Sequence, residues 1–196
     1  MKGAGHLLGE PAEQFFSEGF AGDVQRACQR KDWKTVRHLY QEATQTSKIN
    51  AKDMCATEKI ATQQATSGAR LEYSDHGDPE TLRADTFTFD GGHLVKIHTV
   101  YSVPIANVEG YRPKTFAELF AGLQEAYGPP SKKYSEPVVN AYGVKRDAHR
   151  ALWMMKQGVI RIIEQPGERG WTEIIAETGA EYDRSAHAPK AANPLQ

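Results

Sequence analysis

The feature that most constrains this chain is a change of hydrophobic period partway along it. Up to about residue 67 the apolar residues recur every three or four positions. From Thr86 they alternate every second position. The first spacing puts one stripe of a helix against a core, and the second puts one face of a strand there. A chain whose leading helices give way to runs of strands, with a helix set between two of those runs, reads as α+β with an antiparallel sheet.

The helical segment is 11–67. Pro11 suits the first turn of a short helix carrying Phe15 and Phe16. Asp23 is a candidate cap for a helix over Val24–Lys31. Asp32 is a cap for the next helix, whose stripe is Trp33, Val36, Leu39, Tyr40 and Ala43. A more polar helix follows from Asn50, carrying Met54, Cys55 and Ile60, and Gly68 ends it.

A hairpin is expected over 83–103. Thr86-Phe87-Thr88-Phe89 alternates, Asp90-Gly91-Gly92 turns, and His93 to Tyr101 returns. A three-residue loop would set Phe87 opposite Val95 and Phe89 opposite His93. Phe87, Phe89, Val95, Ile97 and Tyr101 would then share one face. Thr115 and Glu118 form a T-x-x-E capping box for a helix 115–127 with the stripe Phe116, Leu119, Phe120, Leu123. Gly128-Pro129-Pro130 ends it. Residues 148–178 read as a meander in which Val159–Ile163 carries apolar residues on both faces, so that strand belongs in the middle of the sheet. A further strand is expected between Ser131 and Val139.

Together these give one α+β domain, 1–184. Its antiparallel sheet has five to seven strands, its helices lie mainly on one face, and a tail follows from Ser185 to Gln196.

The chemistry is read mostly by elimination. The 196 residues carry 24 Lys+Arg against 25 Asp+Glu, a formal net charge of −1. Nucleic-acid binders present a basic excess, so none is expected as a partner. No stretch is long and apolar enough to span a bilayer. Phosphate-loop, nucleophile-elbow and HExxH patterns are missing from the sequence. The seven histidines are dispersed; His93 and His98, five apart on one strand, fall on opposite faces. His149 from a neighbouring strand leaves open a sheet-lined ligand pocket. The acidic run Glu72–Glu80 lacks EF-hand spacing and reads as a turn rather than a calcium site. No catalytic set, metal site or cofactor is therefore assigned.

Cys28 and Cys55 fall on helices that can lie side by side. They are either two small buried hydrophobes or a disulfide, and a disulfide would imply an oxidising compartment.

The order of Thr115–Tyr127, Gly128-Pro129 and the meander Ala148–Thr178 with Trp153 resembles the helix-then-meander module of small exported α+β proteins, the BamE-like and β-lactamase-inhibitor-protein-like folds. Leu8-Gly9-Glu10-Pro11 with Phe15 is similar to the entry into the same kind of helix. The resemblance implies a non-catalytic, partner-binding or envelope-scaffold role and carries over no functional residue.

The leading expectation is thus a non-enzymatic exported binding domain, periplasmic or secreted. A small enzyme or ligand-binding protein, or a cytoplasmic structural domain, are the alternatives. In the meander Leu152 and Met154 point opposite to Trp153 and Met155, so one set lies away from the helices. Either segment 131–147 or the helix over 50–67 covers that set, or Trp153 or Trp171 marks a face for a protein partner or a second copy of the chain.

Overall fold

A computed structural model describes residues 2–3, 6–44, 48–78, 83–102, 114–139, 143–166 and 170–187. The elements in chain order are β1 (Lys2–Gly3), β2 (His6–Leu7), α1 (Ala12–Ser17), α2 (Gly19–Gln29), α3 (Trp33–Thr44), α4 (Ala51–Thr66), β3 (Leu71–Asp78), β4 (Arg83–Asp90), β5 (His93–Ser102), α5 (Phe116–Tyr127), β6 (Lys132–Val139), β7 (Lys145–Met155), β8 (Gly158–Gln165), β9 (Trp171–Glu177) and α6 (Gly179–His187). Seven strands form one antiparallel sheet in the order β3-β4-β5-β9-β8-β7-β6. The α+β architecture is as the change of period implies. The central strands β9 and β8 come from the C-terminal half, so the early hairpin and the late meander join side by side.

Cross-strand partners share a face, and the register defines the two faces. One holds Phe87, Phe89, Leu94 and Ile97, then Ile174, Ala176, Ile160, Ile162, Trp153 and Ala151. Both blocks of helix rest on this face. Phe15 and Phe16 of α1 pack on Tyr73, Phe87 and Phe89, with ring centroids 4.8–5.8 Å apart. α5 lays Phe116, Leu119, Phe120 and Leu123 on Trp153, Ile160 and Ile162. Its capping box is present, with Glu118 N–H donating to Thr115 Oγ1 and Thr115 N–H to Glu118.

α2 and α3 form a second helical layer with Val24, Ala27, Val36 and Tyr40 as its core. Cys28 and Cys55 are joined as a disulfide between α2 and α4, with Cα atoms 5.7 Å apart. Buried Glu58 of α4 accepts hydrogen bonds from Tyr40 Oη (2.5 Å) and Tyr73 Oη (3.1 Å), so one carboxylate joins α3, α4 and β3.

Three local readings are corrected. α2 begins at Gly19, so Asp23 is inside the helix, paired with Arg26, and caps nothing. Asp32 does cap α3, accepting from Thr35 N–H at 3.1 Å. The β4–β5 loop has two residues, Gly91 (φ 59°) and Gly92 (φ 80°), between the paired Asp90 and His93. Positive φ at both central positions gives the turn whose twist matches the strands. The register then slips between Thr88 and Phe89, so Phe87 meets Ile97 and Phe89 meets Leu94. The extra residue is Val95, and this bulge brings Leu94 into the core. Last, Ser185, Ala186 and His187 belong to α6; the rest of the expected tail, 188–196, lies outside the described residues.

Candidate functional site

The second face of the sheet is covered differently. α6 lies across part of it, held chiefly by charge. Arg70 donates to both oxygens of the buried Glu181 at 2.7 and 3.0 Å, and Arg184 pairs with Asp90 at 2.5 Å. Tyr182 stacks 5.6 Å from the Arg161 guanidinium. Beneath the helix Glu177 is 0% exposed and pairs with Arg161 at 2.6 Å and Lys96 at 3.7 Å. Arg70 holds the Glu181 carboxyl below the usual carboxylate range, and Arg184 does the same for Asp90.

Beyond α6, toward β7 and the outer end of β9, the face is open. Met154 is 60% exposed and Trp171 43% exposed. Leu152, Ile163 and Val100 on the same face are half-buried, and Tyr134 of β6 is exposed. Large apolar groups at the surface of a sheet mark an interaction surface more often than isolated leucines do.

The anchor of this surface is Glu173. Trp171 Nε1–H donates to Glu173 Oε1 at 2.7 Å and Gln165 Nε2–H to the same oxygen at 3.3 Å. His98 Nε2 lies 3.1 Å from Glu173 Oε2. The bond from His98 is the largest cause that lowers the Glu173 pKa to about 2, with burial opposing it and the Trp171 bond adding to it. Such a carboxylate stays ionised and is a poor proton acceptor at neutral pH. It accepts the indole N–H of Trp171, a ring that is itself partly exposed.

The sequence-derived residues thus divide. Trp171 and His98 meet through Glu173. Trp153 does not join them. It is 2% exposed beneath α5, and its Nε1–H donates to Gly128 O at 2.9 Å. Trp153 lies one residue out of phase with Met154, and alternation puts it on the helix side. His93 sits at the hairpin end with Nδ1 3.1 Å from Gly9 O, fastening the N-terminal segment.

His149 is on the helix-bearing face, with Nδ1 2.9 Å from Ser135 Oγ and Nε2 3.9 Å from Glu164 Oε2. The latter exceeds hydrogen-bond reach, so the row Ser135, His149, Glu164 makes no proton relay. These three are register neighbours on β6, β7 and β8. The three histidines therefore do not converge, and among the described residues no group of three His, Cys, Asp or Glu is placed to hold a metal ion.

A cavity of about 510 Å³ opens between α2 and α4, lined by Gln25, Cys28, Cys55, Glu58 and Thr62. Gln25 donates across it to Thr62 Oγ1 at 2.7 Å. It is lined by helices, not by the sheet. Glu173 and α6 were not singled out from the sequence. The signal for Glu173 is present in it: Trp171, Glu173, Ile175 and Glu177 occupy alternate positions and so share a face.

No family model matches the chain, nor does any curated protein or solved structure match it. No helix among the described residues is long and apolar enough to cross a membrane.

Proposed function

We propose that this chain is a non-enzymatic, exported interaction domain that docks a protein partner on the open part of its second sheet face. One observation carries the reading: Trp171, pinned by its own N–H to Glu173, is 43% exposed on the same face as Met154. Aromatic side chains held in one orientation lose little entropy on binding and anchor interfaces. A depressed carboxylate beside the indole suits orientation and not proton transfer. The Cys28–Cys55 disulfide supports an oxidising compartment, because cytosolic thiols are kept reduced. The run of α5, β6 and the β7–β9 meander is the portion that resembles small exported binding modules.

The test compares wild type with Trp171→Ala/Met154→Glu as immobilised bait against envelope and cytosolic extracts. The reading expects a protein retained by wild type from the envelope extract and lost with the double variant at unchanged stability. Equal retention by both forms, or none by either, contradicts it.

A further inference from the structure

The helix that covers part of the second face is held there almost without apolar burial. Within α6 only Glu181 is buried; Tyr182 and Ser185 are half-buried and the rest of the helix is exposed. Its contacts are polar and specific. Arg70 takes the Glu181 carboxylate, and the Arg161 guanidinium lies against the Tyr182 ring. Asp90 takes Arg184 and stands 3.6 Å from Arg70. Charge pairs reached by solvent add little and weaken with salt, and the side chains of Arg70 and Arg184 are both exposed. A helix of nine residues does not keep its shape alone in water, so off the sheet it unwinds. α6 is a lightly held element with two states, docked and released.

What α6 covers is continuous with the open surface. In the register Met154 is opposite Val159, and Val159 opposite Glu177; Leu152 is opposite Arg161, and Arg161 opposite Ile175. Met154 is exposed and Leu152 half-buried, whereas Val159, Ile175 and Glu177, further along the same rows, are buried. α6 packs on β8 and β9, the strands that carry these three. Release of α6 therefore extends the apolar surface from Met154 and Leu152 to Val159 and Ile175. It also opens Arg70 to another carboxylate and Arg161 to another ring.

From this we infer that the strip beneath α6 is a peptide-binding site with α6 as its built-in occupant. It takes a partner segment bearing a carboxylate next to an aromatic ring, the pair that Glu181 and Tyr182 present to Arg70 and Arg161. The partner-binding reading enters in one respect, that the displacing segment belongs to the protein docked at Trp171. The strip itself is tested without that protein.

The test uses the full chain and a synthetic peptide of residues 178–187. Glu181→Gln/Tyr182→Ala/Arg184→Ala loosens α6 and leaves Arg70, Asp90 and Arg161 in place. The peptide is titrated to roughly millimolar concentration, the range a short tether sets, and backbone amide shifts are followed by NMR. In about 20 mM salt it is expected to bind the variant ~10-fold tighter than wild type, whose own helix fills the strip, with shifts at Arg161 and Ile175. Binding is lost at about 0.5 M salt, and a peptide with the same three substitutions binds neither protein. Wild type alone gives a second reading: α6 amides exchange faster at high salt while β8 and β9 keep their protection. Equal affinity for variant and wild type, no binding to either, or α6 amides that exchange only together with those of β8 and β9 overturns the inference. If the peptide fails while Trp171→Ala/Met154→Glu still loses its retained protein, the inference falls and the docking reading stands. If the peptide binds as expected while that double variant retains the protein, the strip stands and docking at Trp171 falls.

Discussion

The two halves of the sheet are covered by the same kind of element to very different depths. Over β3, β4 and β5 there are two layers of helix, a disulfide and an interlocked set of five aromatic rings. On the same face of β7, β8 and β9 the one helix among the described residues is α5, of which only Leu119 is buried while Phe116, Phe120 and Leu123 stay half-exposed. The open part of the second face lies behind this thinly covered half. The difference indicates which part of the chain is built for stability and which is left accessible.

Truncating one aromatic ring in each half should separate them most. Phe89→Ala, at a fully buried ring, is expected to cost ~3–5 kcal/mol in urea unfolding. Phe120→Ala, at a half-buried ring, is expected to cost about half that or less, since less area leaves water to begin with. Equal losses would mean that the halves are equally packed.

Next in size is the disulfide. Cys28→Ser/Cys55→Ser opens a loop whose ends are 27 residues apart, and the chain-entropy model gives roughly 3–4 kcal/mol for such a closure. Hydrogen exchange is expected to speed up in α2, α3 and α4 while α5 keeps its protection. Uniform loss of protection would show the two halves to be one cooperative unit.

Smaller again is Thr115→Ala, about 1 kcal/mol through loss of the α5 cap, read as faster exchange at Phe116–Leu119.

The smallest effect sharpens the view of α6. Its Glu181 is held below the usual carboxylate range by Arg70. A carboxylate lowered in the folded state adds stability above its unfolded pKa, and loses it as pH falls through the folded one. The docking of α6 is thus expected to weaken on acidification below the normal Glu range. Arg70 is 41% exposed on its side chain, so solvent screening keeps the effect small. Glu181→Gln should flatten this part of the pH profile of Tm; an unchanged profile would mean that α6 is held otherwise.

The sequence made some of this legible and some not, for physical reasons. α5 was plain because its cap, its stripe and its terminating Gly128-Pro129 are all local. Cys28 and Cys55 fall on helices that can lie side by side, which by itself leaves them bonded or free. The β4–β5 register was misread because a bulge at Val95 is a cooperative outcome of turn and core, with no single-residue signature. Trp153 was grouped with Trp171 because alternation separates the two faces without saying which one the helices take. α6 went unread because charge pairs, Arg70 with Glu181 and Arg184 with Asp90, join residues about a hundred positions apart.

If Trp171 and Met154 serve binding and contribute little to the fold, one variant, Trp171→Ala/Met154→Glu, shows both through its unfolding free energy and its retention of a protein from the envelope extract. Stability is expected within about 0.5 kcal/mol of wild type, as for exposed sites in general, together with loss of the retained protein. A loss of several kcal/mol, or full stability with undiminished partner retention, would contradict it.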